Sequence, residues 1–505
     1  MIFRHGRAGR FVAESVSLPA VSRVGRTLSR GALAAACACC ATGLFAAPVA
    51  AVPCDPAAWT RHDPAAAFGL TGSALLNGFG LAVLAATAGP SRPLHQRLDA
   101  AAAAIEPKMI GWRRDFHQNP ELGNQEVRTS GIVARHLCGL GYDVRENVAV
   151  TGVVATLRGD AGPGPVIALR ADMDALPVFE EVDLPFASRA RAVWDGVDVP
   201  MMHACGHDCH TAILMAAAEV LAGVRQQLRG TIKLLFQPAE ENLPQGEIGG
   251  AKRMLTEGAF DDPKPDVVFG LHMVSHMPAG SLGYRPGPAH ASTDEFQITV
   301  NGRQAHGASP WEGVDAIAIG AQIVSALQTI QSRQVDVNEP SVLTVGTFHA
   351  GSRFNILSGQ AVLTGTLRAY SDERRTYFHR RVAELAASVA QGMAGTADTH
   401  WEPNGYPVTV NDPDLTARMI PSLARVAGEG RLLHRNRLMA SEDFSYFAQQ
   451  APGLFFWVGT APAGADLTTL APNHSPLFRV DESTLLLGLR GTLHLVADYT
   501  GAAVG

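Results

Sequence analysis

Beyond residue 98 the chain alternates short apolar runs with segments of helical period, and that alternation constrains the fold more than any single motif does. The runs 148–157, 165–169, 231–236 and 266–270 are rich in branched and aromatic residues, the pattern of strands covered on both faces. Around them, 100–116, 129–140, 210–228 and 249–257 read as helices, with a turn or kink expected at Pro107 and a stop at Gly141. Buried strands alternating with helices predict an α/β layer, a sheet covered by helices. In open sheets of this kind ligands bind at the carboxyl ends of the strands. Asp172, Glu240, Glu241 and His272, each just past an apolar run, therefore gain a common rim despite their separation in sequence.

From about residue 292 the pattern changes. Strands at 295–300, 342–349, 360–370 and 397–402, with helices at 311–332 and 372–391, predict a small α+β sandwich with helices on one face of an antiparallel sheet. The first layer resumes near 412, with helices at 413–426, 442–450 and 482–499 and a strand at 453–458. The expected divisions are a leader over 1–97, a catalytic domain in two parts (98–291 and 404–505), and an inserted lid or dimerisation domain at 292–403. An insertion joined by two linkers suits closure over a cleft.

A length of 505 residues permits two cores. A net charge of -6, with no basic stripe after residue 30, argues against nucleic acid as a partner. The leader carries Arg4, Arg7, Arg10, Arg23, Arg26 and Arg30 ahead of the small apolar run 31–53, the order of parts of an export signal. An uncharged stretch at 64–90 is long enough to cross a bilayer, but its glycines and alanines make it weakly hydrophobic, so no stable membrane partner is expected. The expected location is exported or periplasmic if the leader functions, and cytoplasmic otherwise. Of the cysteines beyond the leader, Cys138, Cys205 and Cys209, two sit inside one histidine-rich segment, which is not a disulfide framework.

That segment, 202–210, reads Met-His-Ala-Cys-Gly-His-Asp-Cys-His. Cys205 and His207 are one residue apart, while Glu241, His272 and His474 arrive from the ends of different elements. Thiolate, imidazole and carboxylate together suit zinc, or manganese, cobalt or nickel in a tolerant centre. This ligand set is larger than a structural zinc site uses, which points to two adjacent divalent ions with open positions. Glu240 and Glu241 would face opposite ways on a strand, but a turn at its end can aim both into one site. Glu241 then serves as ligand and Glu240 as the general base that later protonates the departing amine. Asp172 is expected to orient a ligating histidine from behind.

Taken in order, the segments 114–122 (Arg-Asp-Phe-His-Gln-Asn-Pro-Glu-Leu), 170–177, 202–210, 237–241 (Gln-Pro-Ala-Glu-Glu), 305–310 (Ala-His-Gly-Ala-Ser-Pro) and 472–475 (Pro-Asn-His-Ser) form an ordered set. It resembles the zinc amidohydrolases that include hippurate hydrolase and the plant indole-acetyl-amino-acid hydrolases, over the chain from about Leu98 onward. The resemblance implies two ions, with Cys205 between them, Glu241 and His474 favouring one, and His207 and His272 the other. It implies Glu240 as general base, and His306 as a lid histidine that supports the oxyanion in its own chain or in a partner's. Asn355 and Arg368 match lid positions suited to a substrate carboxylate, the arginine offering a fixed donor fork. The implied reaction is hydrolysis of an N-acyl amino acid, hippurate-like, by a homodimer; the competing expectation is a metallo-carboxypeptidase or dipeptidase acting on short peptides. The chain departs from the common pattern at Cys209 and at 242–248, a loop extension that bears on substrate range.

Overall fold

The computed structural model describes residues 93–241, 243, 247 and 249–501; most of the expected leader and most of the loop at 242–248 lie outside them. No helix among the described residues is long and apolar enough to cross a membrane. Helix α1 (Leu94–Gln118) starts before the expected span and runs through Pro107 without ending. A proline inside a helix costs about 3 kcal/mol, whereas burying Leu98, Ile105, Met109 and Phe116 returns roughly 1.5–3 kcal/mol each. The buried stripe therefore outweighs the breaker. Helix α2 (Val127–Gly139) has no side-chain cap from its own N-cap residue. Glu121 supplies it from upstream, its carboxylate accepting the N–H groups of Arg128 and Thr129, each at 2.8 Å.

Strands β1 (Asp143–Val148) and β2 (Gly152–Arg158) form a hairpin where a single strand over 148–157 was expected. The turn has Ala149 and Val150 at φ 56° and 81°, and its apolar residues hide it from a reading based on glycine, proline and asparagine. Next come β3 (Val166–Asp172) and a hairpin of β4 (Arg191–Trp194) and β5 (Val197–Pro200), turned at Asp195-Gly196 with both φ positive. Helix α3 (His207–Gly223) begins inside the histidine-rich segment. It is followed by β6 (Thr231–Gln237), α4 (Gly250–Thr256), β7 (Val267–Pro278), β8 (Leu282–Tyr284) and β9 (Gly287–His290).

The second pattern builds β10 (Asp294–Asn301), β11 (Ala305–His306), α5 (Ala316–Thr329), β12 (Val342–Ala350), β13 (Ile356–Leu357), β14 (Gln360–Arg368), α6 (Asp372–Gly392) and β15 (Thr396–Trp401). Four of these strands form an antiparallel sheet in the order β12-β14-β10-β15. Phe296, Ile298 and Val300 alternate along β10 into one core with Ile319 and Ile323 of α5 and Phe378 and Val382 of α6, so both helices cover the same face. The chain then returns through β16 (Thr409–Asn411), α7 (Pro413–Ala427), β17 (Leu432–His434), α8 (Phe444–Ala448), β18 (Gly453–Ala461) and α9 (Thr484–Tyr499).

The larger sheet has the order β1-β2-β6-β3-β7-β18-β8-β17, with β6, β3, β7 and β18 parallel at its centre. Successive residues of β3 face opposite cores: Ile167 and Leu169 pack with α1, α3 and α9, and Ala168 packs with Phe444 and Phe447 of α8. Asp172 at the end of β3 is level with Gln237 at the end of β6. Strand β7 pairs with β3 as far as Arg170 and Gly270 and runs on, carrying His272 to the same level. One rim thus receives the chemistry of three strands. Glu121→Ala is expected to lower stability by about 1 kcal/mol, read as a lower calorimetric melting temperature with bound metal unchanged; an unaltered melting temperature would show that water serves those amides equally well.

Candidate metal centre

Gly206, immediately before α3, has φ 101°. A Cβ there would lie 3.0 Å from the Met273 Cβ, so glycine is what lets the 202–210 segment lie against β7. The donors of Cys205, His207 and His272 lie within 4.8 Å of one another, and so do those of Cys205, Glu241 and His474. The Cys205 Sγ is 3.4 Å from His272 Nε2 and 3.2 Å from His474 Nε2. The two groups of donors share the thiol, so that each would offer three donor atoms to one of two divalent cations.

The two imidazoles of the first group are aimed from behind. His207 Nδ1 donates to the Asp174 carbonyl at 2.8 Å, and His272 Nδ1 to the Met273 carbonyl at 2.8 Å. With the proton on Nδ1, the lone pair of each neutral ring is on Nε2, facing the cluster. His207 Nε2 and Glu241 Oε1 are buried and have no hydrogen-bond partner among the described residues. Glu241 Oε1 does lie 2.9 Å from His474 Nε2, but without the alignment of a hydrogen bond. Converging, orphaned ligand atoms of this kind fit a metal. So does the charge balance: burial opposes a proton on His207, yet Asp172 and Cys205 hold its pKa well above the usual value. The hydrogen bond with Cys205, then the nearby Glu241 carboxylate, raise that of His474 to about 11. Without a cation, protons offset the surplus negative charge of the donor set.

Asp172 is bonded at 2.6 Å to His210 Nδ1, while His210 Nε2 accepts the Met273 N–H at 2.9 Å. Both nitrogens of His210 are thereby used. Asp172 approaches His207 only at 3.6 Å, so the orienting carboxylate behind a candidate ligand is Asp174, whose Oδ2 also accepts the Glu241 N–H at 2.9 Å. Asp174 was missed because it lies two residues beyond an equally plausible aspartate. Asn473, also unassigned by sequence, ties Cys205 to β7 by donating to the Cys205 and Met273 carbonyls, each at 3.0 Å. His474 beside it adopts φ 72°, a strained conformation for a non-glycine residue at a functional site.

Strand β6 ends at Gln237, so Glu240 and Glu241 escape the alternation of a strand, and both reach within 4.8 Å of the His207 donor. Burial, then Glu442, Glu241 and Asp443, push the Glu240 carboxyl well above its usual range. Arg170 faces Asp172 at 2.7 Å, Glu442 at 2.9 Å and Asp443 at 3.0 Å. Glu442 also accepts the Phe444 N–H, so this acidic pair both lines the rim and braces α8. Cys209 is a buried free cysteine whose pKa is pushed well up by burial and by Asp208; it stays a thiol apart from the donor cluster. Its neighbour Asp208 joins Arg113 and His117, and His117 reaches Glu180, which makes His117 part of a buried brace behind the segment.

The lid candidates are placed differently. His306 and Asn355 are exposed and adjacent across the β11–β13 pair, where Gly307 N–H donates to the Asn355 carbonyl. His306 Nδ1 accepts the Ala308 N–H at 3.0 Å, which leaves the proton of the neutral ring on Nε2. No hydrogen bond or ion pair links either residue to the donor cluster among the described residues. Arg368 does reach toward the rim: its Nη1 donates to Ser441 Oγ at 3.0 Å, next to Glu442.

A model of peptidase family M20/M25/M40 matches residues 168–498. The chain is 38% identical over 396 residues to thermostable carboxypeptidase 2 of Saccharolobus solfataricus, covering 78% of this chain and 96% of that one. It is 35% identical over 384 residues to N-acetyl-L-cysteine deacetylase of Bacillus subtilis, covering 76% and 86%. Among solved structures it resembles a Bacillus subtilis protein described as a dinuclear metal-binding peptidase of family M20, with TM-score 0.66 and 31% identity over 79% of this chain and all of that one. Asp174→Ala should weaken metal binding by roughly 10- to 100-fold, measured by chelator competition with metal analysis; wild-type affinity would show that the backbone carbonyl alone holds His207.

Proposed function

The chain belongs to peptidase family M20/M25/M40 and is a metal-dependent hydrolase of carbon–nitrogen bonds, and from that premise we propose that it cleaves the amide of N-acyl amino acids, hippurate-like substrates included, to a carboxylic acid and a free amino acid. The observation that carries the reading is the buried Glu240 carboxylate beside two donor groups that share Cys205. Cys205, Glu241 and His474 would hold one divalent cation and Cys205, His207 and His272 a second, zinc or manganese on the chemistry of thiolate, imidazole and carboxylate, with cobalt or nickel as substitutes. When bound, such ions supply Lewis acidity and lower the pKa of water toward neutrality.

Glu240 stands where it can take a proton from the attacking water and return it to the departing nitrogen. Burial keeps bulk water from competing for that proton. Asp174 and Asn473 hold the ligand set still while the carboxylate moves the proton. Arg368, anchored on Ser441, would meet the carboxylate of the amino-acid half, with Asn355 as a further polar contact, and the Nε2–H of His306 would stabilise the developing oxyanion. In a homodimer His306 and Asn355 would serve that purpose in the partner's site, with the exposed Phe354 and Trp311 as apolar contacts for the second copy.

A metallo-carboxypeptidase or dipeptidase acting on short peptides is the competing reading, its carboxypeptidase form favoured by the similarity to a named thermostable carboxypeptidase. N-Benzoylglycine, N-acetyl amino acids and dipeptides, assayed with metal-analysed protein before and after chelation, separate the two. Release of amino acid from the N-acyl substrates ahead of the peptides supports the proposal, and the reverse order supports the peptidase. Glu240→Gln should lower kcat by about a thousandfold with bound metal retained; a variant as active as wild type would remove Glu240 as the base.

A further inference from the structure

The chain enters the smaller sheet from β9 to β10 and leaves it from β15 to β16, where β9 and β16 pair as a two-stranded ladder of their own, and the segments at this crossing are bonded to each other. The Thr293 N–H donates to the Tyr406 carbonyl at 3.0 Å, and the Glu402 N–H to the Glu295 carbonyl at 2.9 Å. At this crossing the buried Asp294 carboxylate is gripped by Arg375 of α6, with Nε to Oδ2 at 2.8 Å and Nη2 to Oδ1 at 2.6 Å. Nη2 also reaches the Gly405 carbonyl at 3.4 Å, which accepts the Tyr446 hydroxyl at 2.9 Å. Gly405 has no room for a side chain: a Cβ would lie 2.4 Å from the Thr293 carbonyl oxygen and 2.9 Å from Asp294 Oδ1. His379 closes the arrangement, 3.1 Å from Asp294 Oδ1 and stacked on Trp401 with ring centroids 3.9 Å apart. One arginine of α6 thus joins the first residue of β10 to the outgoing connection.

Tyr406 follows Gly405 directly, and its hydroxyl donates to the Glu240 carbonyl at 2.6 Å. The N–H on the other side of that same peptide unit, from Glu241, donates to Asp174 Oδ2 at 2.9 Å. A trans peptide is a rigid plane with its carbonyl and N–H pointing opposite ways, so Tyr406 and Asp174 hold one plane from its two edges. The preceding residue is restrained as well: Ala239 sits at φ 50° and its N–H donates to Glu126 at 2.8 Å. Rotation of the plane would swing the side chains of Glu240 and Glu241 together.

We propose that Tyr406 is a positioning residue that transmits the geometry of the Arg375–Asp294–Gly405 crossing into the orientation of Glu240 and Glu241. The inference rests on the reading of Glu240 as base for its kinetic consequence, and on geometry alone for its structural one. A small displacement of a reacting group is costly in rate, of order 100-fold for about 1 Å, and a single hydrogen bond at the edge of the plane controls a fraction of that.

Tyr406→Phe removes only the donor. With metal content and melting temperature as in wild type, its kcat should fall about tenfold while KM stays within about twofold. Asp294→Asn should lower kcat in the same sense, and the double variant should be no slower than Tyr406→Phe alone, because both act through one bond. Arg375→Lys replaces Asp294→Asn if that variant does not fold. Hydrogen exchange supplies a readout free of activity: the amides of Ala239 and Glu241 should exchange faster in Tyr406→Phe and in Asp294→Asn. Wild-type kcat in Tyr406→Phe, multiplicative losses in the double variant, or unchanged exchange at 239–241 would each overturn the proposal. Full activity in Glu240→Gln would instead overturn the assignment of the base, and the exchange measurement would then decide the crossing on its own.

Discussion

The rim depends on one buried cation. Arg170 lies on β3, fully enclosed, with Asp172, Glu442 and Asp443 around its guanidinium and Gln237 accepting from its Nε. Carboxylates in an apolar interior are costly unless paired and hydrogen-bonded. Arg170 offers a planar fork that meets several at once. Gln237 completes the arrangement by donating to both oxygens of Asp443. Without that compensation, the end of β3 and the residues just before α8 could not gather Asp172, Glu442 and Asp443 beside Glu240.

On this neutralised floor the donor atoms of the site are aimed by groups that do not themselves join the donor cluster. Asp174, the Met273 carbonyl and Asn473 each fix one side of a donor. Two tasks are thereby separated: the parallel sheet sets the height of the rim through its register, and short hydrogen bonds from the connecting segments set direction. Two of the site residues, Ala239 and His474, have positive φ, which is where the backbone stores the strain that this directing requires, while Gly206 takes its positive φ without that cost.

The inserted sheet contributes through its roots as well as its surface. Its core is built by a plain alternation along β10 and by periodic stripes on α5 and α6, which is why its elements are legible in the amino-acid sequence. The same periodicity reveals the helices and strands of the larger layer. Elements fail to show where the signal is absent: the β1–β2 turn is apolar, and Pro107 sits inside a stripe whose burial overrides it. His272 was expected at a strand end, but β7 continues past it; it reaches the rim because its neighbour β3 stops first.

The sequence by itself determined the class of layer, the division into two patterns, and the chemical types gathered in the histidine-rich segment and the glutamate pair. Those depend on local periodicity and on side-chain chemistry, both of which are written residue by residue. Only the tertiary structure decided which aspartate stands behind His207, that His210 is satisfied while His207 is not, and that Tyr406 reaches the Glu240 carbonyl. Hydrogen bonds reach only about 3 Å, so partnerships between residues far apart in sequence are settled by strand register and by the path of the connecting segments, neither of which a linear pattern contains.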